Sequence, residues 1–330
     1  MNTWDVFGHD WAVEMLQQHV AHQSLRHAYL LTGPSGVGRR ALALRLAQAL
    51  NCQSLAAPGV PCKTCRTCKQ IEAGQNVDLM VIQAESEGGT LKVEQVREVQ
   101  KFLSLKPYQS PYKTVIFLRF QEANANAQNA LLKTLEEAPA RVILLLTADS
   151  GESLLPTIVS RCEVLRLRPL SAERLQDELL RRGFGGDDAR LLARVSGGRM
   201  GHALRMHEDP GLLENRTRLA EDLFMLLGQP LRARFAYAES LAKEKEQVRE
   251  AFLTWLTLWR DVILAASEAG LPLANSDLQS PLMSIAAAVG FAEARRQAAG
   301  LEQALARLDS NVNARLLGEV TLLDWPFVRV

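Results

Sequence analysis

LLTGPSGVGRRALAL, residues 30–44, runs from an apolar strand through a glycine-rich turn into a strong helix former. Gly33 and Gly38 frame four residues. That is the spacing of the phosphate-binding loop G-x-x-x-x-G-K-[ST], in which backbone N–H groups and the start of a helix hold phosphate oxygens. The pattern then fails at its two chemical positions: Arg39 stands where the lysine belongs, and Arg40 where the Ser/Thr belongs. A guanidinium keeps the positive charge but not the compact shape of an ammonium. Arg40 removes the hydroxyl that would bind Mg2+ and places a cation close to the ion. The loop Gly33, Gly36, Gly38, Arg39 and Arg40 is therefore expected to keep the fold and not to bind ATP.

A second test of the loop lies some 80 residues further on. A Mg2+-dependent nucleotide hydrolase of this kind needs an acidic pair at the end of a central apolar strand. The strand is TVIFLRF (114–120), and counting back from Asn129 in NALLKTLEEA puts that pair on Leu118 and Arg119. Neither can hold a metal. Glu122 lies just beyond the strand and is expected to be a solvated loop or helix-start residue. Both halves of the Mg2+ site are thus expected to be missing, and each absence is read from separate residues.

Around the loop the sequence alternates short apolar strands with amphipathic helices. Strands are expected at 27–32, 78–83, 114–120, 141–147 and 163–168, with helices over 40–51, 92–105 and 127–138. Continuous apolar strands separated by helices predict a parallel sheet covered on both faces. A domain 1–168 should close near Pro169. Residues 169–207 hold two short helical stretches that end in Gly183 and Gly197-Gly198 and a third that begins near Gly201, and 208–330 carry long amphipathic helices without strand signals. Trp255 and Trp259, four apart, share one helix face and are expected in a core.

Composition narrows the function classes. The formal charge is +1, with 23% charged and 47% hydrophobic residues, which argues against a large, permanently exposed nucleic-acid footprint. No apolar run approaches the ~20 residues that span a bilayer, so a soluble, cytoplasmic protein without a membrane partner is expected. Of five cysteines, four cluster as Cys52-x9-Cys62-x2-Cys65-x2-Cys68, a metal pattern and not a disulfide framework. Four thiolates suit tetrahedral Zn2+, with Lys63, Arg66 and Lys69 offsetting their charge; with no fourth position open, the zinc should be structural. Redox or iron–sulfur chemistry is the alternative use of the same ligands.

The fifth cysteine belongs to Ser160-Arg161-Cys162, which follows a short helix that Pro156 is expected to break and precedes the last strand. With the degenerate loop GPSGVGRR, the four-cysteine insertion, NALLKTLEEA, SRC and the opening VFGHDWAVEML, the chain resembles the clamp-loader subunits of bacterial DNA polymerase III. These are members of the AAA+ family, and among them the chain is most similar to the delta-prime type. The resemblance covers about residues 1–205 through specific motifs, and the rest only through helical character. It implies an AAA+ α/β core, a small helical lid and an all-α collar that joins subunits into a hetero-pentamer with gamma/tau and delta. The sliding clamp and primer-template DNA would be met through that assembly. It also implies that Arg161 is an arginine finger lent to a neighbouring ATPase subunit, that Thr147 is at the polar sensor position, and that Gly201 occupies the place of a lid arginine, with Arg199 two residues away. A non-hydrolysing stator follows. The alternatives are an active gamma/tau-like ATPase, which would need Arg39 to serve as the lysine, and a zinc-dependent nucleic-acid-binding protein, for which CKTCRTCK offers charge but little aromatic stacking.

Overall fold

A computed structural model describes residues 4–86, 88–308 and 312–328. The chain forms two compact units, Met1–Ser171 with Arg199–His202, and Ala172–Gly198 with Ala203–Val330.

In the first unit five parallel strands form one sheet in the order β2-β3-β4-β1-β5. They are β1 (Ala28–Thr32), β2 (Leu79–Ile82), β3 (Lys113–Phe117), β4 (Val142–Ala148) and β5 (Glu163–Arg166), each within three residues of its expected bounds. The helices are α1 (Asp10–Ala21), α2 (Arg39–Asn51), α3 (Arg66–Glu72), α4 (Val93–Ser104), α5 (Ala125–Glu136) and α6 (Pro156–Val159). Because successive strand side chains point to opposite faces, the continuous apolar runs feed two cores. Tyr29, Leu31, Ile116, Ile143 and Leu145 pack with Leu42 and Leu46 of α2 and Leu16 of α1. Leu30, Val115, Phe117, Leu144 and Leu146 pack with Val96 and Val99 of α4 and Leu131 of α5. Pro156 opens α6 at its first turn and does not break it, since a proline lacks only a donor that a helix start leaves unpaired.

The second unit is helical: α7 (Ala172–Arg181), α8 (Gly186–Val195), most of α9 (Met200–Glu208), α10 (Pro210–Leu227), α11 (Leu231–Leu241), α12 (Lys245–Ala266), α13 (Gln279–Leu308, broken at Gly290) and α14 (Ala314–Leu323). Trp255 and Trp259 are fully buried, and the Trp255 and Trp325 rings meet edge to face 4.9 Å apart. Arg234 is buried as well, and its guanidinium donates to the carbonyls of Leu226, Leu227, Leu322, Trp325 and Pro326. One cation thereby satisfies the orphan C-terminal carbonyls of α10 and α14. No helix among the described residues is long and apolar enough to cross a membrane.

Candidate functional site

The loop after β1 has the geometry its glycines demand. Gly33 has φ 143°, and a Cβ there would lie 2.3 Å from the Leu167 carbonyl oxygen, so no other residue fits. Its N–H donates to the carbonyls of Ala148 and Asp149, which ties the loop to the end of β4. Gly38 sits in the left-handed region and starts α2. The two residues that break the motif go separate ways. Arg40 is exposed. Arg39 turns inward, only 7% exposed, with its Nη1 2.8 Å from the Asp149 carboxylate. The cation in the lysine's place is therefore already matched by an acid of the same chain. Asp149 was missed in the sequence; the available signal was an acidic residue directly after the strand that neighbours the loop.

The other nucleotide-related positions are also occupied. The Gly201 N–H donates 2.8 Å to the Gly36 carbonyl, and a Cβ at Gly201 would lie 2.9 Å from that oxygen. A longer side chain at Gly201 has no room there, while Arg199 donates to the Ser35 carbonyl at 3.5 Å. Leu118 is buried in the core. Arg119 takes a left-handed backbone conformation, its N–H donates 2.9 Å to the Thr147 hydroxyl, and its Nε donates 2.8 Å to Glu122. Glu122 is not solvated, contrary to expectation: its side chain is 9% exposed, because it receives both Arg119 and the Gly88 N–H. Glu122 thus neutralises an arginine, and the Thr147 hydroxyl already accepts a hydrogen bond.

The four cysteines converge. The sulfurs of Cys52, Cys62, Cys65 and Cys68 all lie within 4.8 Å of one another, the only such metal-ligating group among the described residues. A Zn2+–S length of about 2.3 Å implies sulfurs about 3.8 Å apart in a tetrahedron, so the set fits with small adjustments. Backbone N–H groups of Cys62, Cys65 and Cys68 donate to the sulfurs of Cys52, Cys62 and Cys65. The Cys65 N–H brings the Cys62 thiol down to about 6, while burial pushes the Cys68 thiol up. Trp4 Nε1 donates to the Gly59 carbonyl and Gln48 Nε2 to that of Cys68, seating the insertion on the first unit. Lys63 was expected among the charge-balancing cations; its ammonium pairs with Asp5. Cys162 stands outside this cluster, its thiol pushed up to about 12 by burial.

Arg161 lies at the opposite end of the sheet from the glycine loop, because the loop follows β1 and Arg161 precedes β5, its parallel neighbour. Its side chain is 34% exposed, with Nη2 2.6 Å from Glu136 and Nη1 donating to the Thr157 carbonyl. It lines an open depression of about 490 Å3 together with Arg26, Glu136, Ser160, Cys162 and Glu163.

The model for "DNA polymerase III, delta subunit" matches residues 8–171, and that for "DNA polymerase III, delta subunit, C terminal" matches residues 210–326. DNA polymerase III subunit delta' of Pseudomonas aeruginosa is 33% identical over 325 residues, 96% of each chain. The chain belongs to the delta-prime family of DNA polymerase III subunits. About half of this delta-prime chain is also similar to DNA polymerase III subunit tau of Salmonella typhimurium, at 35% identity over 175 residues, 53% of this chain and 27% of that one. The crystal structure of a DNA polymerase III gamma subunit-related protein from Thermotoga maritima has a TM-score of 0.50 and 18% identity over 94% of this chain and 97% of that chain, a likeness of fold alone. The family assignment and the clamp-loader-like α/β fold with a helical C-terminal region agree with the expectations from sequence.

Proposed function

We propose that this delta-prime subunit is a non-hydrolysing stator of a cytoplasmic DNA polymerase III clamp loader, and that it lends Arg161 to the nucleotide site of a neighbouring ATPase subunit. The ion pair between Arg39 and Asp149 carries the proposal. A lysine in this place would reach the β- and γ-phosphates, whereas the buried Arg39 is already paired with a carboxylate and would have to leave it to meet ATP. Leu118 and Arg119 add no metal ligand at the end of β3. Residues 1–168 would serve as the AAA+ core, 169–207 as the lid and 208–330 as the collar that joins gamma/tau and delta in a pentamer. Sliding clamp and primer-template DNA would be met there. Cys52, Cys62, Cys65 and Cys68 would hold one structural Zn2+, which cross-links the insertion 52–68 to α2 and α3. The likeness to tau is compatible with an active ATPase, but it covers 27% of tau against 96% of the delta-prime relative.

Titration of the purified full chain with Mg2+-ATP in a calorimeter, together with a turnover assay and metal analysis, tests the proposal. No binding heat, no phosphate release and about one zinc per chain are expected. Mg2+-dependent binding with turnover would overturn it.

A further inference from the structure

The depression around Arg161 holds a second arginine, which neither the motif SRC nor the fold calls attention to. β1 and β5 pair in register with Tyr29 opposite Glu163. Arg26, three residues before Tyr29, and Arg161, two before Glu163, therefore leave the sheet at the same end. Both line the same depression. Each guanidinium is held by a carboxylate from that wall: Arg161 by Glu136 at 2.6 Å and Arg26 by Glu163 at 3.7 Å. The Arg26 backbone is fixed from below, since its N–H donates 3.0 Å to the hydroxyl of fully buried Tyr29, which also meets His19 Nδ1 at 3.0 Å. The Arg26 side chain itself is 67% exposed, so a rigid backbone carries an outward, adaptable cation.

Two guanidiniums in one open depression match a polyphosphate better than one, because each can place two parallel N–H groups on phosphate oxygens. Glu136 and Glu163 fill that role while no anion is present, and their exposure makes them easy to displace. We propose that Arg26 is a second binding residue in trans, contacting the phosphate chain of a nucleoside triphosphate held by the neighbouring subunit, beside Arg161. This rests on the reading of Arg161 given above and extends it. Arg161 would meet charge that develops during transfer, whereas Arg26 would meet charge present in both the ground and the transition state. Uniform binding of that kind lowers KM and leaves kcat unchanged.

Steady-state ATPase kinetics of the clamp loader reconstituted with gamma/tau and delta test the proposal, with wild type, Arg26→Ala, Arg26→Lys and Arg161→Ala compared at saturating subunit concentration. Arg26→Ala is expected to raise KM for ATP about ten-fold, the worth of one charge-assisted contact, with kcat within about three-fold. Arg26→Lys should recover only part of the loss, since an ammonium lacks the fork. Arg161→Ala is expected to lower kcat by about 10³-fold or more. An unchanged KM in Arg26→Ala overturns the role of Arg26, and so does a loss confined to kcat. Weaker assembly of Arg26→Ala with a normal KM once assembled does the same and makes Arg26 a packing contact. In these cases a large loss in Arg161→Ala leaves the finger standing. An undiminished kcat in Arg161→Ala defeats the finger itself, a result distinct from any outcome at Arg26.

Discussion

Two arginine–carboxylate pairs stand at opposite ends of the same sheet, and they differ in one physical respect. Arg39 is 7% exposed and faces Asp149 across the glycine loop; Arg161 is 34% exposed and faces Glu136 at an open surface. In the first, the guanidinium is desolvated and held by Asp149, so Arg39 is not free to serve a ligand, although Asp149 itself is half-exposed. In the second, water screens the attraction, and a better anion can replace the glutamate. A pair of the same chemical type thus buries its arginine at one end of the sheet and leaves it at the surface at the other.

The comparison can be broken most severely at Arg161. In the reconstituted assembly Arg161→Ala should reduce ATP turnover by about 10³-fold or more while the melting temperature of the isolated chain hardly moves. A normal rate would place the two arginines in the same class. Next in size is Arg39→Ala, expected to lower unfolding free energy by about 2–4 kcal/mol in urea titration, because it removes a packed side chain as well as the charge partner. Asp149→Ala should cost less, about 1–2 kcal/mol, since Asp149 is 56% exposed and water replaces part of what Arg39 loses. Glu136→Ala should cost at most about 0.5 kcal/mol, and a loss as large as that for Arg39→Ala would mean that the Arg161 pair is structural. The smallest effect is predicted for the double change Arg39→Lys with Arg40→Thr. It restores the loop pattern, yet colorimetric phosphate release should remain at background, because Leu118 and Arg119 still supply no carboxylate for Mg2+.

The sheet was legible because its strands are continuous apolar runs, and a strand buried on both faces needs no partner to be recognised. Every expected strand is present, and Trp255 with Trp259 is in the helical core as their spacing predicts. The cysteine cluster was equally legible, since close spacing leaves few ways to arrange four thiols. What escaped was pairing between distant polar residues. Glu122 looked solvated until Arg119 adopted a left-handed conformation and turned back onto it. Asp149 was marked only by its place directly after a strand and Glu136 by nothing local, because each acts on an arginine more than 20 residues away. Arg234 looked like any helix-surface arginine and proved to be a buried tie between helix ends.

The sequence alone determined that this chain carries the glycine spacing of a phosphate loop without its lysine and Ser/Thr, together with a four-cysteine cluster. Residue identity and local spacing decide such properties, since they are set by which side chain stands at each position before the chain folds. Only the tertiary structure decided which charges are spent inside the molecule and which face outward. That outcome depends on distance and burial, and the sheet sets both when it brings Asp149 to Arg39 at one end and leaves Arg26 and Arg161 open at the other.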